Sequence, residues 1–207
     1  MKFLIINMYK KQSIFNNLKI KKKFLEGLRG EGTKATKATK ATKAIFRKWD
    51  DAEGIRDVLK HKKIDGIILS GSDYFVDRKK HSSIDESILL SNIPILAICY
   101  GFQSLIHTLG KPSYIKRNKH GYMNYMRSLR IPEPFAIPKH KYYFYHTNYI
   151  VKVPRDFQVL TKIRNKIMIA YNSKKNILGV QFHPEKYKKT LRIILHAWIA
   201  KCVSALN

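Results

Sequence analysis

Residues 93–103 constrain the fold of this chain more than any other stretch. The apolar run at residues 95–98 predicts a buried strand. Directly after Cys99, apolar residues recur at three- and four-residue steps and predict a helix: Phe102, Leu105, Ile106 and Leu109. A strand, a sharp turn and a helix, with a cysteine at the turn, have the geometry of a nucleophile elbow.

The residues around Cys99 suit such a turn. Ala97 and Gly101, two positions before and after it, are small enough for the backbone to bend sharply. The helix that follows would place unpaired N–H groups and a positive dipole end beside the sulfur, which favours thiolate over thiol. A buried cysteine that only fills the core is the alternative interpretation, so the catalytic assignment depends on partner residues elsewhere.

Strands and helices alternate through the first half of the chain. Apolar runs at residues 1–7, 45–46, 64–69 and 95–98 predict strands, and amphipathic patterns at residues 14–28, 51–59 and 82–91 predict helices between them. This alternation predicts an α/β fold of three layers, α/β/α, around a central, mostly parallel sheet.

The second half of the chain has a different pattern. Residues 114–130 are polar and aromatic without a clear period, and strand-like runs at residues 142–145, 158–160, 167–170 and 177–182 predict a small mixed or antiparallel section. Apolar residues on one face of residues 191–202 predict a closing helix, in which Cys202 and His196 are expected to have no catalytic role.

Length and composition favour one domain in a reducing compartment. At 207 residues the chain suits a single domain over residues 1–207, with four tandem Thr-Lys-Ala triplets at 33–44 expected to form a solvated insertion. No apolar run is long enough to cross a membrane, and the first residues lack a signal-peptide pattern. Two cysteines form neither a disulfide framework nor a metal site, so we expect a cytoplasmic protein without metal or cofactor.

The net charge of +27 favours contact with polyanions, nucleic acid above all. The basic residues, however, are spread through the whole chain without a recognisable binding module. Spread charge supports only non-specific binding, so specific nucleic-acid binding is not expected.

Two further strand ends supply candidate partners for Cys99. His183 and Glu185 follow the predicted strand at 177–182, so His183 could act as a base and Glu185 could orient its imidazole. Gly71 and Ser72 follow the strand at 64–69, where backbone N–H groups, with that of Tyr100, could bind an oxyanion. An ordinary surface turn is the alternative interpretation of the Ser-Gly-Ser sequence.

Two motifs together resemble the class I glutamine amidotransferase family. They are Cys-Tyr-Gly-Phe-Gln at 99–103 and Gly-Val-Gln-Phe-His-Pro-Glu at 179–185. Residues 68–71 match the oxyanion strand of that family, and the detail is most similar to the amidotransferase domain or subunit of GMP synthase. The resemblance implies a flavodoxin-like fold and covers nearly the whole chain apart from the triplet insertion.

The resemblance also implies a function and a site. It implies hydrolysis of the glutamine side-chain amide through a thioester at Cys99, with ammonia passed to a separate ATP-dependent synthetase. It implies further that Gly71, Gln103 and the backbone near Tyr100 hold glutamine and the oxyanion. His146 would lie near the substrate by its position, although a histidine without a role in binding is the alternative.

Three departures from the family pattern bear on this expectation. Ser72 replaces the second glycine of the usual Gly-Gly pair, Ala97 replaces a glycine before the nucleophile, and residues 145–148 read Tyr-His-Thr-Asn in place of Ser-His-Gly-Asp. Two alternative functions follow: a γ-glutamyl hydrolase of the same Cys-His-Glu class, or a basic nucleic-acid-binding or interaction protein that has lost activity.

Overall fold

A nine-stranded sheet forms the centre of the computed structural model, which describes residues 1–9, 18–29, 42–76 and 84–203. The strands are β1 (Lys2–Asn7), β2 (Lys43–Lys48), β3 (Gly66–Leu69), β4 (Ile95–Ile98), β5 (Ile115–Arg117), β6 (Met123–Ile131), β7 (Ile137–His146), β8 (Asn148–Ile150), β9 (Gln158–Ile163), β10 (Lys166–Asn172) and β11 (Ile177–Val180). The helices are α1 (Leu18–Arg29), α2 (Ala52–His61), α3 (Glu86–Leu90), α4 (Tyr100–Leu109) and α5 (Lys188–Trp198).

The central sheet has the strand order β2-β1-β3-β4-β11-β10-β8-β5, with β9 also paired to β10. The strands from β2 to β11 in this order run parallel, whereas β10, β8, β5 and β9 pair antiparallel. Strands β6 and β7 form a separate antiparallel hairpin. The prediction of a mostly parallel sheet with a small antiparallel section is confirmed.

Two hydrophobic clusters, one on each face of the sheet, make up the core. Helices α1 and α5 and the β6–β7 hairpin pack on one face, and α2, α3 and α4 pack on the other. Because side chains alternate along a strand, β4 sends Leu96 and Ile98 into the first cluster and Ile95 and Ala97 into the second. Strands buried on both faces explain the continuous apolar runs in the sequence.

Two predicted boundaries differ in the first half of the chain. Strand β2 begins at Lys43 and pairs in register with β1, so the last two residues of the predicted insertion at 33–44 belong to the sheet. Residues 33–41 of that insertion lie outside the described residues, as do residues 14–17 of the first predicted helix. The predicted helix at 82–91 covers only Glu86–Leu90, with residues 82–83 again outside the described part.

The second half contains more regular structure than its sequence pattern indicated. Residues 114–130, which have no clear period in the sequence, contain β5 and nearly all of β6. The strand predicted at 177–182 ends at Val180, and it pairs parallel with β4 and antiparallel with β10, so the section to which it belongs is mixed. Period alone does not reveal strand direction, because direction depends on which strand lies alongside. In the described residues, no helix combines the length and apolar character needed to cross a membrane.

Candidate active site

The candidate site lies where β4 and β11 end side by side. Ile98 and Val180, the last residues of these parallel strands, are register partners. Cys99 follows the first strand directly, and its N–H donates to the Val180 carbonyl at 2.7 Å. His183 comes three residues after Val180, so the sheet brings both predicted catalytic side chains to one edge.

Cys99 occupies a strained turn between β4 and α4. Its φ of 48° and ψ of −104° lie outside the regions that non-glycine residues usually adopt, as is common at functional sites. Gly101 donates its N–H to the Ser70 carbonyl at 3.1 Å. A Cβ on Gly101 would lie 2.7 Å from the Leu69 carbonyl oxygen, so only glycine fits this turn. The predicted nucleophile elbow therefore has a steric basis.

The sulfur of Cys99 is buried and has two further polar neighbours besides His183. The Tyr145 carbonyl oxygen lies 3.8 Å from Sγ, and the Gln181 side-chain amide donates to Sγ at 3.6 Å.

His183 has an acceptor at each ring nitrogen. Nδ1 lies 2.7 Å from Glu185 Oε1, and Nε2 lies 3.1 Å from the Tyr145 carbonyl oxygen. Burial lowers the pKa of His183, but the charges of Cys99 and Glu185 and hydrogen bonds with both side chains outweigh it. The pKa of His183 therefore lies well above its ordinary value, which favours the imidazolium.

The turn after β3 is held to the end of β1 by two serines. Ser70 Oγ accepts from the Met8 N–H at 3.0 Å, and Ser72 Oγ donates to the Met8 carbonyl at 2.6 Å. Ser72 Oγ also accepts the Tyr74 N–H at 3.0 Å. A Cβ on Gly71 would lie 2.8 Å from His183 Cε1, so this position packs directly against the imidazole.

Gln103 and His146 form the buried floor of the site. The Gln103 amide donates to the Asn148 carbonyl at 2.7 Å and to Gln181 Oε1 at 3.2 Å. His146 donates from Nδ1 to the same carbonyl at 2.8 Å. Burial, together with the charges of His183 and Lys166 and offset in part by that hydrogen bond, lowers the pKa of His146 to about 4. His146 is therefore neutral at pH 7.

A cavity of about 260 Å³ opens over these side chains. Six predicted site residues line it: Cys99, His183, Tyr100, Gln103, Ser72 and His146. The other two contact His183 instead, Gly71 through its backbone and Glu185 through its carboxylate. A cysteine, a histidine whose imidazole is bonded to a carboxylate and an adjoining cavity form the kind of arrangement that acyl transfer requires.

Sequence reasoning assigned no role to three residues that the structure places at the site. Gln181 contacts Sγ, the Tyr145 carbonyl accepts from His183, and Tyr9 lines the cavity. Tyr9 could have been found, because it comes two residues after the carboxyl end of a predicted strand, where sites gather in parallel sheets. The contact between the Tyr145 carbonyl and His183 could not have been predicted from the sequence, because it involves a backbone group and not the tyrosine side chain.

Comparison with known proteins gives one family match and a set of relatives. The family model for glutamine amidotransferase class-I matches residues 33–198. The chain is 30% identical over 153 residues to GMP synthase [glutamine-hydrolyzing] of Wigglesworthia glossinidia brevipalpis, covering 68% of this chain and 29% of that protein. It is 34% identical over 144 residues to the enzyme of the same name from Thermosipho melanesiensis, covering 66% and 26%. The chain thus spans less than a third of these relatives.

Two solved structures share the fold. A candidate GMP synthase subunit from Thermoplasma acidophilum has a TM-score of 0.64 at 18% identity, covering 100% of this chain and 96% of that one. The glutaminase domain of Trypanosoma brucei CTPS, with bound acivicin, has a TM-score of 0.65 at 14% identity, covering 97% and 94%. At these identities the likeness describes architecture alone.

Proposed function

Since the chain belongs to the class-I glutamine amidotransferase family, we propose that it hydrolyses the side-chain amide of glutamine to glutamate and ammonia. The observation that carries the proposal is the alignment of Cys99, His183 and Glu185 at two adjacent strand ends, with a 2.7 Å contact between the imidazole and the carboxylate. A cavity of about 260 Å³ beside Cys99 supports a substrate of amino-acid size.

The proposed reaction has two halves. The Cys99 thiolate attacks the amide carbon, and the Nε2 proton of His183 passes to the leaving nitrogen as the C–N bond breaks, which gives ammonia and a thioester. A water then attacks the thioester carbon while His183 takes a proton from it, and the C–S bond breaks to give glutamate. Glu185 holds the imidazole and stabilises its charged form in both halves.

Backbone and side-chain groups around Cys99 would hold the substrate. In this proposal the N–H groups of Gly71 and Tyr100 bind the oxyanion that forms in each half of the reaction. Gln103, Ser72 and His146 line the same cavity and would fix the position of glutamine. The buried Nε2 of His146 has no hydrogen-bond partner among the described residues, which leaves an acceptor for a substrate N–H.

The direct test is ammonia release from glutamine by the purified chain and its variants. Cys99→Ser and His183→Ala should each lower kcat/KM by about 1,000-fold or more, because each removes a group that forms or breaks bonds. Cys202→Ser is the matched control, since Cys202 is also buried but lies in the π-helical turn Ile199–Val203, after α5. Turnover of other γ-glutamyl amides with none of glutamine would contradict the proposal.

We further propose that the ammonia passes to a separate ATP-dependent synthetase of the GMP-synthase type. The support is that the relatives that match this chain are GMP synthases and that a solved structure of the same fold is described as a candidate GMP synthase subunit. Mixing the chain with such a synthetase should give glutamine-dependent product that Cys99→Ser abolishes. Product formation from free ammonia but never from glutamine would contradict this partnership.

A further inference from the structure

Tyr9 separates two cavities that meet at His183. The cavity of about 260 Å³ contains Cys99, and a second one of about 230 Å³ lies on the Glu185 side of the imidazole. Both are lined by Tyr9, Tyr145 and His183. The catalytic scheme above uses His183 and the Tyr145 carbonyl, but it gives Tyr9 no role.

The Tyr9 hydroxyl lies over the turn that follows β3. A Cβ built on Gly71 would be 3.5 Å from this hydroxyl oxygen and 2.8 Å from His183 Cε1. The phenol and the imidazole therefore flank the same glycine. The Tyr9 hydroxyl therefore lies on the side of the site where, in the proposed reaction, the Gly71 N–H binds the oxyanion.

The backbone fixes Tyr9 at this point. Its N–H donates to Asn7 Oδ1 at 2.9 Å, and the preceding residue, Met8, is bonded to both Ser70 and Ser72. The phenol thus belongs to the same hydrogen-bonded unit as the turn after β3. A hydrogen-bond donor whose position is already fixed by surrounding hydrogen bonds needs little reorganisation when negative charge forms beside it.

The phenol faces acidic groups and remains protonated. Burial raises the pKa of Tyr9 strongly, and the negative charges of Glu185, Cys99 and Asp73 raise it further. The basic side chains that line the two cavities are those of His183, His146, Lys23 and Lys186. Tyr9 consequently keeps its O–H proton.

We propose that the Tyr9 hydroxyl is a further hydrogen-bond donor of this active site, stabilising the negative charge that Cys99 carries as a thiolate and transfers to the substrate oxygen on attack. The transfer to a substrate oxygen rests on the proposed function. The stabilisation of the thiolate does not, because it is a property of the free protein and can be measured without glutamine.

The test compares Tyr9→Phe, which removes only the hydroxyl, with Tyr142→Phe. Tyr142 is the control because it is a tyrosine of the same core cluster that does not line the cavity beside Cys99: its buried hydroxyl has no partner among the described residues, and its ring packs against Phe182. The measurement is the rate of Cys99 alkylation by iodoacetamide against pH, followed by mass spectrometry of the Cys99 peptide. Tyr9→Phe should lower the thiolate fraction about tenfold on the acid side of the midpoint, since a hydrogen bond to a charge is worth roughly 1.5–3 kcal/mol.

The glutamine assay adds a second readout. Tyr9→Phe should lower kcat about 10- to 100-fold with little change in KM, as expected for a donor to a developing charge. An alkylation profile identical to the wild type and to Tyr142→Phe would overturn the proposal, even if glutamine turnover fell. A shifted profile in a chain that never hydrolyses glutamine would support the role of Tyr9 and contradict the proposed function instead.

Discussion

Ser72 stands where the family usually has glycine. The serine backbone has less conformational freedom than glycine, but the serine hydroxyl forms hydrogen bonds that glycine cannot form. The hydroxyl donates to the Met8 carbonyl and accepts from the Tyr74 N–H, so the turn after β3 is bonded on both sides. A glycine there could turn more freely but would make neither side-chain bond. The serine therefore fixes the turn that packs against His183.

We expect Ser72→Ala to lower kcat/KM for glutamine about 3- to 30-fold, because the loss of roughly 1 kcal/mol per hydrogen bond loosens the turn beside the oxyanion. Ser91→Ala is a matched control. Ser91 Oγ also donates to a backbone carbonyl, that of Ile88 at 2.8 Å, and accepts the Ile93 N–H at 3.3 Å, but it lies at the end of α3. Equal losses of activity in both variants would argue against a specific role for Ser72.

His146 gives a residue-scale prediction about pH. Its pKa falls from an unfolded value of about 6.5 to about 4 in the folded chain, so the unfolded state binds more protons between these values. The stability that neutral His146 contributes is complete above about pH 6.5 and is lost as pH falls towards 4. His183 has the opposite dependence on pH. Its pKa is raised in the folded chain, so the stability that protonated His183 contributes is lost as pH rises.

Between pH 7 and pH 5, neutral His146 should therefore account for about 2 kcal/mol of the loss in unfolding free energy. The measurement is urea denaturation of the wild type and of His146→Gln at both pH values. The glutamine side chain cannot titrate, so the variant should lose about 2 kcal/mol less than the wild type over this interval. Parallel losses in the two proteins would show that His146 titrates normally.

At the scale of elements, strand β11 and helix α4 pack through a single glycine. A Cβ on Gly179 would lie 2.1 Å from the Phe102 ring, closer than any real contact. Gly179 pairs with Ala97 of β4, so the contact sits under the first turn of α4, close to Cys99. The small residues Gly179 of β11 and Ala97 of β4 thus allow α4 and the turn before it to pack closely against the sheet.

Gly179→Ala should lower the unfolding free energy by about 1–3 kcal/mol through overpacking, measured by chemical denaturation. Phe102→Leu alone should also destabilise the chain by removing buried ring atoms. The double variant should recover part of the loss, because the smaller side chain leaves room for the new methyl group. Strict additivity of the two changes would contradict this contact.

At the scale of the whole molecule, the strand order assembles the site from distant parts of the chain. Cys99 and His183 are brought together only because β11 returns to pair with β4, after the separate β6–β7 hairpin and the antiparallel strands β8, β9 and β10 have intervened in the chain. The end of β7 places the Tyr145 carbonyl beside the sulfur. The predicted cytoplasmic location, the single domain and the absence of specific nucleic-acid binding are global properties that stay predictions.

The sequence by itself determined the local parts of this protein. Apolar runs and helical spacing are local patterns, so they predicted the β4–α4 elbow at Cys99 and the layered α/β architecture. His183 and Glu185 were identified as candidate partners of Cys99 from their residue types and from the match to the family motifs. Strand boundaries were less certain, as at Lys43, because pairing with β1 extends a strand beyond its apolar core.

Only the tertiary structure decided how these parts meet. That β11 runs parallel beside β4, that the Tyr145 backbone accepts from His183, that Ser72 is bonded to Met8 and that the Tyr9 hydroxyl lies near Gly71 are all contacts between residues far apart in the chain. Such contacts depend on which strands pair and in which direction, and side-chain pattern within a strand carries no information about its neighbour. The residue types that could carry out the chemistry could therefore be identified from the sequence. Their arrangement in space depends on the order and direction of the strands in the sheet.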